Sequence, residues 1–324
     1  MPTSLPQEYL EHSEPPQSMQ SFGMHFIEKL ATHFSTLKIP GRSITHASRR
    51  APVAAQIDRP DEIQRILQDV LNHAITQDSQ HHAQATFTAF LGKSRPDIGV
   101  LKFFNGWNET HKTTSLVSAK IIMRLSADTL SVPEQKLPDH AIVMAHMHEV
   151  AKDDFGLGHE GHDGMYTCFT EAFGASAWLE NQYSVSECNA FSSFLYEIGV
   201  AKHTSAMDSV EHRRSIMEAM MVSIASELWN GREYNFFAQY IERKLLSVNA
   251  SLSDDIKRLR NAKAYVTGHS GEVENKHGLH ALAAAQAFAR MTGIAFELDQ
   301  LRTVMLDYNK RVGVAFQSLH DALT

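Results

Sequence analysis

Apolar residues recur at helical spacing along almost the whole of this chain, and no stretch alternates apolar and polar residues as a half-buried strand does. After Pro60, which suits the first turn of a helix, Ile63, Leu67 and Val70 return to one helical face. The same spacing predicts helices over 116–125, 165–173, 216–228, 281–291 and 298–308, with Gly293 as a cap between the last two. We therefore predict an all-α protein with a bundle-like arrangement of helices.

The composition is that of an ordinary globular protein and narrows the choice of partners. Of the 324 residues, 43% are hydrophobic and 21% charged, which allows a core without disulfides. The net charge of −7 offers no basic face for nucleic acid, and we find neither an apolar leader nor a run of eighteen apolar residues. Cys168 and Cys188 lie in apolar contexts and are expected to be reduced core residues. We expect a cytoplasmic homodimer that binds a small molecule and neither nucleic acid nor a membrane.

The segment from His269 to His277 carries the strongest chemical signal, because two imidazoles and the carboxylates of Glu272 and Glu274 fall within it. Imidazole and carboxylate together suit iron, manganese or zinc, and no cysteine lies nearby to favour a thiolate site. Glu274 and His277 share a face of one predicted buried helix, and a single-residue π-bulge would bring His269 to the same side. A chain with 19 histidines also produces such pairs by chance, so the metal hypothesis needs ligands from other helices.

One group of such ligands lies about a hundred residues earlier. Glu149 and Asp154 come near the end of one predicted helix, Gly156 and Gly158 break it, and His162 opens the next. Further imidazoles that could hold the ligands in one tautomer are His146, His148 and His280.

A third carboxylate, Glu233, follows an apolar run and stands next to Arg232. This pair is either a buried structural ion pair or a metal ligand with its charge partner. Glu227, six residues earlier, is expected to face the opposite side of the helix and to be structural. His111, which is expected to open the predicted helix over 116–125, could face the same cavity or the solvent.

The order of these motifs resembles the haem-oxygenase-like diiron oxidases and oxygenases. The similarity consists of carboxylates followed by Gly-x-Gly, then His162, then Glu233, and finally the segment from His269 to His277 with Gly278 after it. It covers roughly residues 108–291. It looks closest to a bacterial branch of that superfamily without an assigned function, which shares the Gly231-Arg232-Glu233 element.

The resemblance implies a seven-helix bundle that holds two Fe(II) ions without haem and uses O₂ to oxidise an amino acid, an amine or a fatty acid, in the biosynthesis of a specialised metabolite. It assigns the metal ligands Asp154, His162, Glu233, His269, Glu274 and His277. Two departures keep alternatives open. Asp154 stands where the family has Glu, so Glu149 could replace it, and the spacing before Glu274 is one residue longer, so Glu272 competes with it. Residues 1–20 are rich in Pro, Ser, Gln and Glu and are expected to form a flexible arm. The resemblance leaves residues 21–107 as an N-terminal helical extension of a diiron domain (108–324).

Other classes of protein stay open at this point. The same fold hosts metal-free enzymes of thiamine or quinone-cofactor metabolism, and haem proteins with one histidine ligand, which the many carboxylates disfavour. A helical protein that binds metal or a partner without catalysis is the remaining alternative.

Overall fold

The computed structural model describes residues 16–39, 52–152, 161–200, 206 and 209–324, with every side chain in these ranges except those of 113–116 and 200. Helices dominate this part of the chain, which confirms the all-α prediction. They are α1 (Met19–Glu28), α2 (Leu30–Thr36), α3 (Pro60–Asn72), α4 (Ala74–Leu91), α5 (Ile98–Asp128), α6 (Leu137–Ala151), α7 (Gly161–Ala172), α8 (Ser186–Val200), α9 (Val210–Ala238), α10 (Ile241–Val248), α11 (Ile256–Gly268), α12 (Val273–Thr292) and α13 (Leu298–Leu323). Two short strands, β1 (Lys38–Ile39) and β2 (Val53–Ala54), pair antiparallel.

Local capping explains several helix ends. Pro60 occupies the first turn of α3, as the sequence predicts. The side chain of Asp97 accepts a hydrogen bond from the backbone N–H of Val100 at 2.9 Å and begins α5, and Ser209 caps α9 in the same way. Gly293 ends α12 with a φ of +77°, which confirms the predicted cap. None of the helices in the described ranges is long and apolar enough to cross a membrane.

The long helix α9 lies at the centre of the molecule. Its residues are buried on all sides from Ala219 to Tyr234, whereas a helix on the surface would show one polar face. α12 packs along α9 and against α6, α5 packs against α8 and α9, and α13 packs against α4 and α9. Any polar side chain on the middle of α9 is therefore in the interior.

We expected the segment from His269 to His277 to be one helix with a π-bulge, but the structure divides it between two helices. α11 ends at Gly268, a turn follows in which Gly271 has a φ of +73°, and α12 begins at Val273. A positive φ is a conformation that glycine adopts at little cost, and it separates the two helices here. His269 therefore belongs to the end of α11, and Glu274 and His277 belong to the first turns of α12.

The N-terminal residues do not form a separate extension. The expected boundary at 107/108 falls inside α5, and α1, α3 and α4 pack on α9 and α13. Met19 is fully buried, and its N–H donates to Gln84 Oε1 at 2.7 Å, so the expected arm over 1–20 is already folded at its end. Residues 1–15 lie outside the described part of the chain. His111, which we expected to open a helix, lies in the middle of α5.

Candidate metal centre

Two glycines let α9 and α12 approach closely enough to share a site. A Cβ atom on Gly278 would lie 2.8 Å from Leu228 Cδ2 and 3.4 Å from Glu227 Cβ. On the other helix, a Cβ atom on Gly231 would lie 2.5 Å from Asn275 Oδ1. Larger residues at these positions would push the helices apart, because the contacting groups belong to a packed core.

Where the two helices meet, the side chains of Glu227, Glu274 and His277 form a buried cluster. They are 2%, 3% and 5% exposed, and each offers a ligand atom within 4.8 Å of the others. His277 Nδ1 lies 3.7 Å from Glu227 Oε2 and 3.6 Å from Glu274 Oε2. Two ligand atoms on one metal ion at about 2.0–2.2 Å lie about 3 Å apart, so a small contraction would complete this site.

The protonation of the two carboxylates follows from their burial and contact. Burial, and next the contact with Glu274, raise the pKa of Glu227 well above its ordinary value, although His277 acts against this. Burial also opposes ionisation of Glu274, but contacts with His277, His269 and Glu227 outweigh it and lower its pKa. Glu227 is therefore the neutral partner and Glu274 the anion. Oε1 of Glu274 is buried and has no hydrogen-bond partner in the described part of the protein.

Two further imidazoles lie beside this cluster. His269 is 4% exposed, and its Nδ1–H donates to the carbonyl of Tyr265 at 2.6 Å. In this tautomer Nε2 carries the lone pair and can act as an acceptor or a ligand. His162, in the first turn of α7, is 6% exposed, and its ring centroid lies 5.2 Å from that of His269. Burial, followed by the nearby His269 and His111, lowers the pKa of His162 well below its ordinary value. His162 is therefore neutral, and its buried Nδ1 has no partner among the described residues.

The Glu233 carboxylate has hydrogen-bond partners on both oxygens. Oε1 accepts hydrogen bonds from Trp107 Nε1 at 2.6 Å and from His111 Nε2 at 3.1 Å, and Oε2 accepts one from Trp229 Nε1 at 2.7 Å. Burial by itself lowers the pKa of His111, but Glu233 and the Trp107 carbonyl raise it, and the net shift is upward. The geometry describes a buried imidazolium–carboxylate pair held by two indoles.

Aromatic rings surround the imidazoles and keep this region apolar. The Tyr265 ring lies 4.7 Å from that of His162, and the Tyr234 ring stacks on that of His269 at 4.9 Å. Tyr234 donates its O–H to the Tyr265 hydroxyl at 3.1 Å. Burial raises the pKa of Tyr234 well above its ordinary value, so this phenol stays neutral.

The structure does not bring all the predicted ligands together. Glu272 lies in the turn before α12 and is exposed, so it is not part of the buried cluster. Glu149 is half-buried and pairs with Lys152 at 2.7 Å near the end of α6. Asp154 lies outside the described residues.

The imidazoles that we expected to support the ligands form a pair of their own. His146 on α6 and His280 on α12 are both 1% exposed, and their Nδ1 atoms lie 2.9 Å apart. Burial lowers the pKa of His146 to about 4 and that of His280 to about 3, so both are neutral at physiological pH. His148 is exposed.

The structure reverses the expected places of two glutamates on α9. We expected Glu233 as a ligand and Glu227 as a structural residue, but it is Glu227 that lies beside Glu274 and His277, while both oxygens of Glu233 are held by indoles and an imidazole. The signal for Glu227 is present in the sequence, since an acidic residue in the middle of a long apolar helical run is rarely buried without a partner. The sequence carries no comparable signal that His111 pairs with Glu233.

Comparison of the chain with protein-family models, with curated proteins and with solved structures found no match in any of the three. The class of protein is therefore defined by the fold and the site alone. It is an all-α protein whose described part contains a buried Glu-Glu-His cluster that could hold a metal ion.

Proposed function

We propose that the protein is a non-haem iron enzyme that uses O₂ to oxidise a small molecule. The observation that carries this proposal is the buried cluster of Glu227, Glu274 and His277, in which one carboxylate oxygen has no hydrogen-bond partner among the described residues. A buried carboxylate without a full set of hydrogen bonds is costly, and a divalent cation in place of the shared proton would remove that cost.

The donor set fits iron. Carboxylate oxygens and neutral imidazoles, with no cysteine among the ligands, suit non-haem iron and do not suit an iron–sulfur cluster. In this proposal Glu227, Glu274 and His277 hold one ion. His162 and His269, which both interact electrostatically with Glu274, would hold a second ion together with Glu274. Iron in such a site supplies the binding and reduction of O₂.

The surrounding residues keep these ligands in place. The Tyr265 carbonyl fixes the tautomer of His269, which leaves Nε2 for the metal. The ion pair of His111 and Glu233 holds α5 against α9 next to the ligands, and its positive member lies within electrostatic range of Glu274. The rings of Tyr234 and Tyr265 exclude water from the imidazoles, which strengthens every charge interaction in the site.

The test begins with iron binding by the full chain. In an anaerobic titration with Fe(II), followed by calorimetry and by metal analysis after gel filtration, we expect two tightly bound ions per chain. On exposure to air, the loaded protein should consume O₂ in proportion to the iron it holds. The variant Glu274→Gln should lose both ions, because it removes the shared anionic ligand.

Glu272→Gln is the matched control, since Glu272 lies two residues away but is exposed. It should bind iron as the native chain does. The proposal is wrong if the native chain binds no Fe(II), or if the two variants bind it equally. Iron binding without O₂ consumption would favour a metal-binding protein without this activity.

A further inference from the structure

A second cavity lies at the other end of α12 from the candidate metal centre. Its volume is about 210 Å³, and it is lined by the end of α5, the segment that leads into α6, the first turn of α9 and the last turns of α12. Phe288 in its wall stands fourteen residues after Glu274, which corresponds to about 21 Å along the helix. This cavity is therefore separate from the Glu-Glu-His cluster.

One part of the cavity wall is apolar. Leu125 and Phe288 are 1% exposed, and Val132 and Met291 are half-buried and complete this part. The cavity is smaller than the roughly 300–1,000 Å³ of sites for drug-sized ligands, so it would take a small molecule with a short apolar body.

The wall also carries two cations without counter-ions. Lys136 and Arg213 both line the cavity, both are half-buried, and neither side chain makes an ion pair or hydrogen bond with another described residue. Half-buried cations without a partner are unfavourable, and an anion between them would offset this.

The carboxylate in the wall, Asp128, does not balance these charges. His212 Nε2 contacts both of its oxygens, at 3.0 and 2.9 Å. The buried guanidinium of Arg124 also interacts with Asp128. Burial lowers the pKa of Arg124 to about 10, and Asp128 acts against this by stabilising the charged form. Asp128 is thus already matched by groups behind the wall, and the cavity has an excess of positive charge.

We infer that this cavity binds a small carboxylate with an apolar body, with Arg213 and Lys136 on the carboxylate and the body against Leu125 and Phe288. Arg213 can donate two parallel hydrogen bonds to a carboxylate, and Lys136 adds a point charge. Such a ligand could be a simple aliphatic acid or an apolar amino acid. His140 bears on this choice, because its Nε2–H donates to the Leu125 carbonyl at 3.0 Å and its Nδ1 is left as an acceptor for an ammonium group.

Three probes that differ by one group each test the inference: isocaproate, leucine, which adds an α-amino group, and isocaproamide, which removes the charge. Binding to the full chain is measured by calorimetry and by saturation-transfer NMR. We expect saturable binding of isocaproate or leucine, and binding of the amide at least tenfold weaker. Tighter binding of leucine than isocaproate identifies an amino acid as the ligand, and the reverse identifies a simple acid.

The variants Arg213→Gln and Lys136→Gln should each weaken carboxylate binding at least tenfold. Arg214→Gln is the matched control, because Arg214 is the next residue but is exposed and does not line the cavity. It should bind as the native chain does. Equal binding of amide and acid, no binding of either acid, or an equal loss in Arg213→Gln and Arg214→Gln would overturn the inference.

Discussion

The substitution Glu227→Gln should have opposite effects on the metal-free and the iron-loaded protein. In the metal-free protein Glu227 is protonated, since burial and Glu274 raise its pKa. Glutamine has the same shape and its amide N–H can still donate to Glu274, so the fold should keep this contact. With iron, the same change replaces an anionic ligand by a neutral one that binds divalent cations poorly.

The size of the first effect follows from proton linkage. The unfolded chain releases the Glu227 proton near its ordinary pKa of 4.5, whereas the folded chain keeps it. The stability that this proton contributes is therefore complete below that pKa and is lost as the pH rises towards the folded pKa. Between pH 5.5 and 6.5 the native chain should lose about 1.4 kcal/mol more than the variant, which does not titrate there.

The size of the second effect follows from mass action. At a hundredfold excess of Fe(II) over the Kd of the ion that Glu227 holds, that ion should add about 2.7 kcal/mol to the stability of the native chain. A hundredfold loss of affinity in Glu227→Gln would reduce this gain to about 0.4 kcal/mol. Anaerobic urea unfolding followed by circular dichroism, with chelator or with Fe(II), measures both quantities. A variant that is less stable than the native chain at both pH values and gains as much stability from Fe(II) as the native chain does would refute the reasoning.

Three other outcomes are expected. Because the pKa values of His146 and His280 are lowered, their contribution to stability is complete above about pH 6.5 and is lost as the pH falls towards about 4. In His280→Asn the loss of stability with acid should be shallower, by up to about 1.4 kcal/mol per pH unit. An unchanged slope in urea unfolding would contradict this. Gly278→Ala places a methyl 2.8 Å from Leu228 Cδ2, so it should lower the free energy of unfolding by about 1–3 kcal/mol and weaken Fe(II) binding. A variant with native stability would show that α12 can move freely. Glu233→Gln leaves the buried imidazolium of His111 without its counter-ion and should lower the free energy of unfolding, measured by chemical denaturation, by about 3–5 kcal/mol. A loss under 1 kcal/mol would argue against the ion pair.

Much of the helical architecture could be predicted from the sequence, because its signals are local. The apolar spacing after Pro60 and the glycine at position 293 act within one or two turns, and the structure has helix ends at both. The end of α11 was also signalled by Gly271. We interpreted the spacing there as a bulge, because the two imidazoles suggested a single ligand helix.

The choice between Glu227 and Glu233 could not be made in this way. Six residues on a helix correspond to about 120° of rotation, so the two side chains must face different neighbours. α9 is buried on every side, so its sequence has no polar face from which to tell which direction points to α12. The neighbours are set by the packing of helices far apart in the chain, including the contacts at Gly231 and Gly278.

The central claim is the position of the metal, and anomalous diffraction at the iron absorption edge tests it most directly. Crystals of the full chain loaded anaerobically with Fe(II) should show one anomalous peak within about 2.3 Å of Glu227, Glu274 and His277, and a second near His162 and His269. A peak coordinated by Glu233, or by exposed Glu272, would contradict the ligand assignment. Crystals of protein with bound Fe(II) that show no peak beside Glu274 would contradict the account as a whole.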